Sequence, residues 1–183
     1  MSFIDALLVI FVILVEISFV SLSIAAVSMA PWLPTKKDDV KRALKIAGPK
    51  PGEIIYDLGS GTGTVIFEAA KEFRVKAIGI ERAFPLHVLS KIKSLFIRSE
   101  GEVKFVRANL FKSDIGDADI VYVFGLPGPL SQKVLPLLEK QLKPGTRVVS
   151  YVFSIKGWEP DKVDWPPGGN PIYLYKIVTH PKS

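Results

Sequence analysis

Along the 183 residues, apolar positions follow three successive patterns, and each predicts a different kind of element. From Ala6 to Ala30 the chain is almost wholly apolar, with Glu16 the single charge inside the run. A helix of those 25 residues rises roughly 37 Å, enough to cross a hydrocarbon layer of about 30 Å with some tilt. The pattern predicts one transmembrane anchor over residues 1–30 and a separate domain over residues 31–183. A cleaved signal peptide is the competing reading, although "MSFID" lacks positive charge and the apolar run is too long. A helix buried in the domain's own core is the third.

After the "PWLPT" linker, short apolar runs alternate with helical periodicity. Thr35, with Asp38 three residues on, reads as a capping box opening a short helix that ends near Gly48. Strands are expected at "IIYDL" (54–58), "VKAIGIE" (75–81), "VKFVRAN" (103–109), "DIVYVF" (119–124) and "RVVSYVF" (147–153). Between them lie a helix with Ile66, Ala69, Ala70 and Phe73 in helical spacing, and one from about Phe84 to Arg98 whose Val88, Ile92, Leu95 and Phe96 share a face. A third helix covers roughly Ser131–Leu142, with Pro136 near its first turns. Near-continuous apolar strands alternating with helices predict a parallel α/β sheet covered on both faces. The last pattern, "DKVDW", "PPGGN" and "PIYLYKIV", reads as a hairpin closing that sheet.

Charge sharpens the division. Residues 1–30 hold no Lys or Arg, whereas the remainder carries all 24 of them against 16 acids, a net of +8. Lys36, Lys37, Lys41 and Arg42 follow the apolar run at once, so the positive-inside tendency predicts a single-pass membrane protein with its domain in the cytoplasm. The chain has no cysteine, which removes disulfides and thiolate metal sites, and neither His87 nor His180 sits in a ligand-like cluster, so no metal is expected.

The chemistry concentrates in "YDLGSGTGTVIFEAA", Tyr56 to Ala70, where Gly59, Gly61 and Gly63 alternate with small residues between a strand and a helix. That is where open α/β sheets bind ligands. The spacing departs from the G-x-G-x-x-G of dinucleotide sites, and no G-K-[ST] follows for a P-loop. Asp57, two residues before the first glycine, is awkward beside a pyrophosphate and suits a cationic ligand such as an α-ammonium or sulfonium.

This arrangement resembles the D-x-G-x-G-x-G motif of class I S-adenosylmethionine-dependent methyltransferases. The resemblance implies a Rossmann-like fold, a mostly parallel seven-stranded sheet in the order 3-2-1-4-5-7-6 with a C-terminal antiparallel hairpin, and S-adenosyl-L-methionine as cofactor. It implies that Glu81 takes the ribose hydroxyls, that Asn109 reads the adenine amino group, and that Leu110 offers its backbone N–H to the ring. More narrowly, "PWLPT", "YDLGSGTGTV", "RANLF", "GLPGPL", "KPGTRVVS" and "FSIKGW" are similar to the small archaeal and mitochondrial protein-lysine methyltransferases, whose eukaryotic members are tethered by one N-terminal helix. A protein substrate with an acceptor lysine follows as the implied partner. Thr62 and Thr64 stand where those relatives usually carry Asp and Arg, and Tyr151 where a charged residue is common.

Methyl transfer to an amine needs alignment rather than a metal or a covalent nucleophile. Aromatic faces around the acceptor would stabilise the charge passing to nitrogen, which makes Trp32, Phe124, Tyr151, Phe153 and Trp158 the acceptor-side candidates. Two alternatives stay open. A basic domain also attracts RNA, although the N-P-P-aromatic loop of nucleobase methyltransferases is missing and nucleic acid is not the expected partner. A membrane-anchored protein that binds S-adenosylmethionine without catalysis is the other.

Overall fold

A computed structural model describes residues 2–28 and 33–178 of the protein. Its strands are β1 (Ile54–Leu58), β2 (Lys76–Glu81), β3 (Glu102–Arg107), β4 (Ile120–Val123), β5 (Arg147–Tyr151), β6 (Lys162–Asp164) and β7 (Ile172–Lys176). They form one sheet in the order β3-β2-β1-β4-β5-β7-β6. The first five are mutually parallel, and β7 runs antiparallel to both β5 and β6, the expected closing hairpin. Alternate residues of the central strands feed two cores. Tyr56, Leu58, Val121, Val123 and Val148 point to one, while Ile55, Ile120, Tyr122 and Val149 point to the other. Burial on both faces is why these strands read as continuous apolar runs.

The helices are α1 (Phe3–Ser28), α2 (Lys37–Ala47), α3 (Thr64–Phe73), α4 (Phe84–Phe96), α5 (Pro127–Pro129) and α6 (Leu135–Gln141). Helix α2 ends as anticipated, on a left-handed Gly48 whose N–H bonds to the Leu44 carbonyl. Its start differs. Lys36 is the N-cap and makes no side-chain cap, so the Thr35–Asp38 capping box does not form; Thr35 instead lines a pocket over the glycine loop. After β4 the single expected helix is broken into α5, a π-helical turn at Leu130–Val134, and α6, with the wide turn placed just ahead of Pro136, which has no N–H to return.

Two apolar elements stay outside the core. Helix α1 contains a stretch, Phe3–Ser23, long and apolar enough to cross a membrane, and none of that stretch is buried in the domain. It touches the domain at α4, where the Phe84 N–H donates to Ser21 Oγ at 2.8 Å. Helix α4 rests on β2 and β3 through the side that carries Leu86 and Ser90. The face shared by Ile92, Leu95 and Phe96 therefore points away from the sheet, and these residues are 47%, 80% and 79% exposed.

Candidate functional site

The glycine turn is held against β2 by two backbone bonds, from Gly59 N–H and Ser60 N–H to the Ile80 carbonyl, at 2.9 and 3.0 Å. Gly59 and Gly63 have different uses. Gly59 has φ 92°, and a Cβ built there meets no atom within 4 Å, so the backbone is bare toward the cleft. Gly63 has φ 86°, and a Cβ there would lie 2.4 Å from the Phe105 ring, so this glycine lets α3 close on β3.

Beneath the turn are two buried acids. Asp57, on β1 between Gly79 of β2 and Tyr122 of β4, has its pKa pushed up to about 8 by burial, with the Glu81 charge adding to the shift. Glu81 closes β2 and accepts the Gly61 N–H at 2.8 Å and the Ala83 N–H at 2.7 Å. Burial raises its pKa too, against the opposing pull of those backbone donors. Two hydroxyls nearby, Ser60 Oγ and Tyr122 OH, are buried without a hydrogen-bond partner of ordinary geometry. All but Glu81 line one pocket, together with Leu33, Pro34, Thr35, Thr62, Thr64 and Phe124. A buried acid that a cation would ionise, two unpartnered hydroxyls and a bare glycine backbone fit a polar, positively charged ligand such as the α-amino-acid and sulfonium end of S-adenosylmethionine.

Asn109 lies just past β3 and opens a short 3₁₀ turn at Leu110–Lys112, its Oδ1 accepting the Phe111 N–H at 3.2 Å. Asp57, Glu81 and Asn109 thus stand at the carboxyl ends of three adjacent strands, and the Leu110 side chain is buried behind them.

Three of the five aromatic candidates come together. Phe124, at the end of β4, meets Tyr151 edge-on at 5.5 Å and lies parallel to Phe153 at 6.5 Å. Trp158 is elsewhere: it packs on Tyr175, which pairs with Val148 toward the opposite end of β5, and its indole N–H reaches Glu139 at 3.4 Å. Trp32 lies outside the described residues. The Tyr151 hydroxyl donates to Asp39 at 2.6 Å and accepts from Asn170 at 2.7 Å. Burial and the Asp39 bond push its pKa up to about 12, so it is a neutral donor rather than a base near neutral pH. Sequence reasoning passed over Val152, which holds φ 70° in a tight turn closed by the Phe153 N–H on the Tyr151 carbonyl at 2.9 Å. That left-handed conformation is rare for a β-branched residue and aims Phe153 back at Phe124. No residue pattern marks it, whereas Ser60 and Tyr122 could have been found as polar groups inside the motif and inside an apolar strand.

Comparison with known proteins gives four matches, all to methyltransferases. The model of the ANTKMT methyltransferase domain matches residues 57–162. A protein-lysine N-methyltransferase of Saccharolobus islandicus is 40% identical over 82% of this chain and 95% of its own length. The Mus musculus adenine nucleotide translocase lysine N-methyltransferase is 29% identical over 71% of this chain, which spans 56% of that protein. A crystal structure described as an RNA methyltransferase from Salinibacter ruber, with S-adenosyl-L-homocysteine, superposes with a TM-score of 0.76 at 34% identity, over 80% of this chain and 94% of that one.

Proposed function

The chain belongs to the ANTKMT methyltransferase domain family, and on that premise we propose that it methylates lysine side chains of proteins, membrane proteins among them. The observation that carries the reading is the 40% identity to a protein-lysine methyltransferase over nearly that protein's whole length. S-adenosylmethionine, the family's cofactor, supplies an electrophilic methyl group on a sulfonium.

The cofactor side is assigned to Asp57, Gly59, Gly61, Gly63, Glu81, Asn109 and Leu110. Gly59 leaves room against the backbone, and Asp57 becomes a counter-charge once a cation lies beside it. The two oxygens of Glu81 suit a vicinal diol, and the amide oxygen of Asn109 and the N–H of Leu110 suit an adenine edge. On the acceptor side a lysine, with an ordinary pKa of about 10.4, is neutral well under one time in a thousand at pH 7. Desolvation and the +8 charge of residues 31–183 both favour its neutral form. Phe124, Phe153 and Tyr151 then present aromatic faces to the ammonium that forms.

We read residues 1–30 as a single-pass tether and residues 31–183 as a cytoplasmic catalytic domain, supported by α1 and by the cations that follow it. Retention of the full chain through an alkaline carbonate wash, with the domain protected from external protease, is the expected result; release of the intact chain would overturn the tether. Tethering raises the effective concentration of neighbouring membrane proteins, which makes their cytoplasmic lysines the preferred targets. Mass spectrometry of membrane and soluble fractions, with and without the gene, tests this. Methyl-lysine lost only from soluble proteins would contradict it, and methyl groups lost from RNA would favour the activity named for the Salinibacter ruber structure.

A further inference from the structure

Helix α4 carries an apolar stripe that the sheet does not use. At about 100° per residue, Leu95, Val88, Ile92, Phe96 and Leu89 fall within an arc of about 120°, opposite the buried Leu86 and Ser90. Lys91 and Lys93 stand about 40° beyond its two edges. From Arg82 to Arg98 the chain holds no acid. An exposed apolar stripe between flanking cations is the pattern of a helix lying in the headgroup layer of an anionic bilayer.

The position of α4 agrees with that reading. Its first N–H is bonded to Ser21, near the end of the Phe3–Ser23 stretch, so α4 begins at the level where the tether would leave the hydrocarbon. Ser21 joins α1 to α4, with Ser18 and Leu22 partly shielded on the same stretch, and α1 leaves Leu95 and Phe96 exposed. We propose that the outward face of α4 docks on the membrane surface as a second contact, with anionic phospholipid as its partner. This rests on reading α1 as a tether. Phe84, at the start of α4, comes three residues after Glu81, so a docked α4 would fix the carboxyl edge of the sheet relative to the bilayer and leave acceptor lysines near the surface in reach.

The chain's lack of cysteine makes the test direct. Phe96→Cys, Ile10→Cys and Val163→Cys, each in the full chain, are labelled with an environment-sensitive fluorophore and placed in vesicles of phosphatidylcholine with or without phosphatidylglycerol, and brominated lipid is the quencher. Label at 96 is expected to be quenched in the anionic vesicles, label at 10 in both kinds, and label at 163, on the far-edge strand β6, in neither. Lys91→Gln with Lys93→Gln should lower the docking equilibrium about 30-fold, at roughly fivefold per cation. Quenching at 10 without quenching at 96 overturns the docking face and leaves the tether standing; loss of both overturns the tether as well. A label at 96 that is shielded from water yet unquenched assigns the face to a second protein copy, which also overturns the proposal.

Discussion

At the carboxyl ends of β1, β2 and β3, the polar groups are set by successive strand ends and one glycine turn. At the ends of β4 and β5, the aromatic cluster is assembled from distant pieces: Tyr151 is held by Asp39, 112 residues away in sequence, and by Asn170. The first half offers acids, hydroxyls and bare backbone to a ligand; the second offers rings. Under the proposed assignment of the first half to the cofactor and the second to the acceptor, the difference makes cofactor binding and acceptor choice separable. One depends on local backbone shape, the other on how α2 and the loop before β7 grip the end of β5.

The strongest way to break this comparison is Gly63→Val, which would force a branched side chain into Phe105 and into a left-handed conformation. A loss of about 3 kcal/mol or more in a denaturant titration is expected, because the glycine serves packing as well as shape. Glu81→Ala should spare the aromatic cluster yet weaken S-adenosylhomocysteine binding roughly 10- to 150-fold by calorimetry, the range for losing charged hydrogen bonds of about 1.5–3 kcal/mol. Tyr151→Phe should do the reverse. It leaves the Asp39 carboxylate with one donor fewer, at a stability cost of about 1–3 kcal/mol, while the cofactor affinity measured by calorimetry stays at the wild-type value.

Acid–base behaviour separates the halves in a subtler way. Asp57 holds its proton more tightly folded than unfolded, so its stabilising contribution is full below its ordinary value of 3.8 and is lost as pH rises through about 8. Glu81 is shifted in the same direction. Ligand-free protein should therefore melt at falling temperature between about pH 5 and about pH 8, and Asp57→Asn should flatten most of that slope. The smallest effect is expected from Val152→Gly. Relief of the left-handed strain is offset by the greater freedom of glycine in the unfolded chain and by the lost packing of the Val152 side chain on the core, so stability should stay within about 1 kcal/mol of wild type in thermal melts, with cofactor affinity unchanged.

The half proposed to hold the cofactor was legible because its information is local. Asp57, the glycine alternation, Glu81 and Asn109 recur at strand ends that the apolar runs delimit, and the hairpin that places β7 beside β5 is marked by "PPGGN". The aromatic half, proposed to face the acceptor, was legible only as residue types. Phe124, Tyr151 and Phe153 converge because Val152 accepts a strained turn, a tertiary demand that outweighs backbone preference and leaves no mark in composition. The same limit explains one local misreading and one question that spacing left open. Thr35 fits a capping box by spacing but lies over the glycine loop instead, and the apolar stripe of α4 has helical period whichever way the helix is turned, so periodicity could not tell inward from outward.

The central claim, that this chain moves a methyl group from S-adenosylmethionine to protein lysine, is tested most directly by incubating the purified full chain with methyl-labelled cofactor and a native membrane extract. Label should enter protein, survive nuclease, disappear with protease, and be recovered after acid hydrolysis as methylated lysine, with Glu81→Ala strongly reducing it. Label that is removed by nuclease and unaffected by protease, or no transfer by a protein that binds the cofactor, would contradict the account.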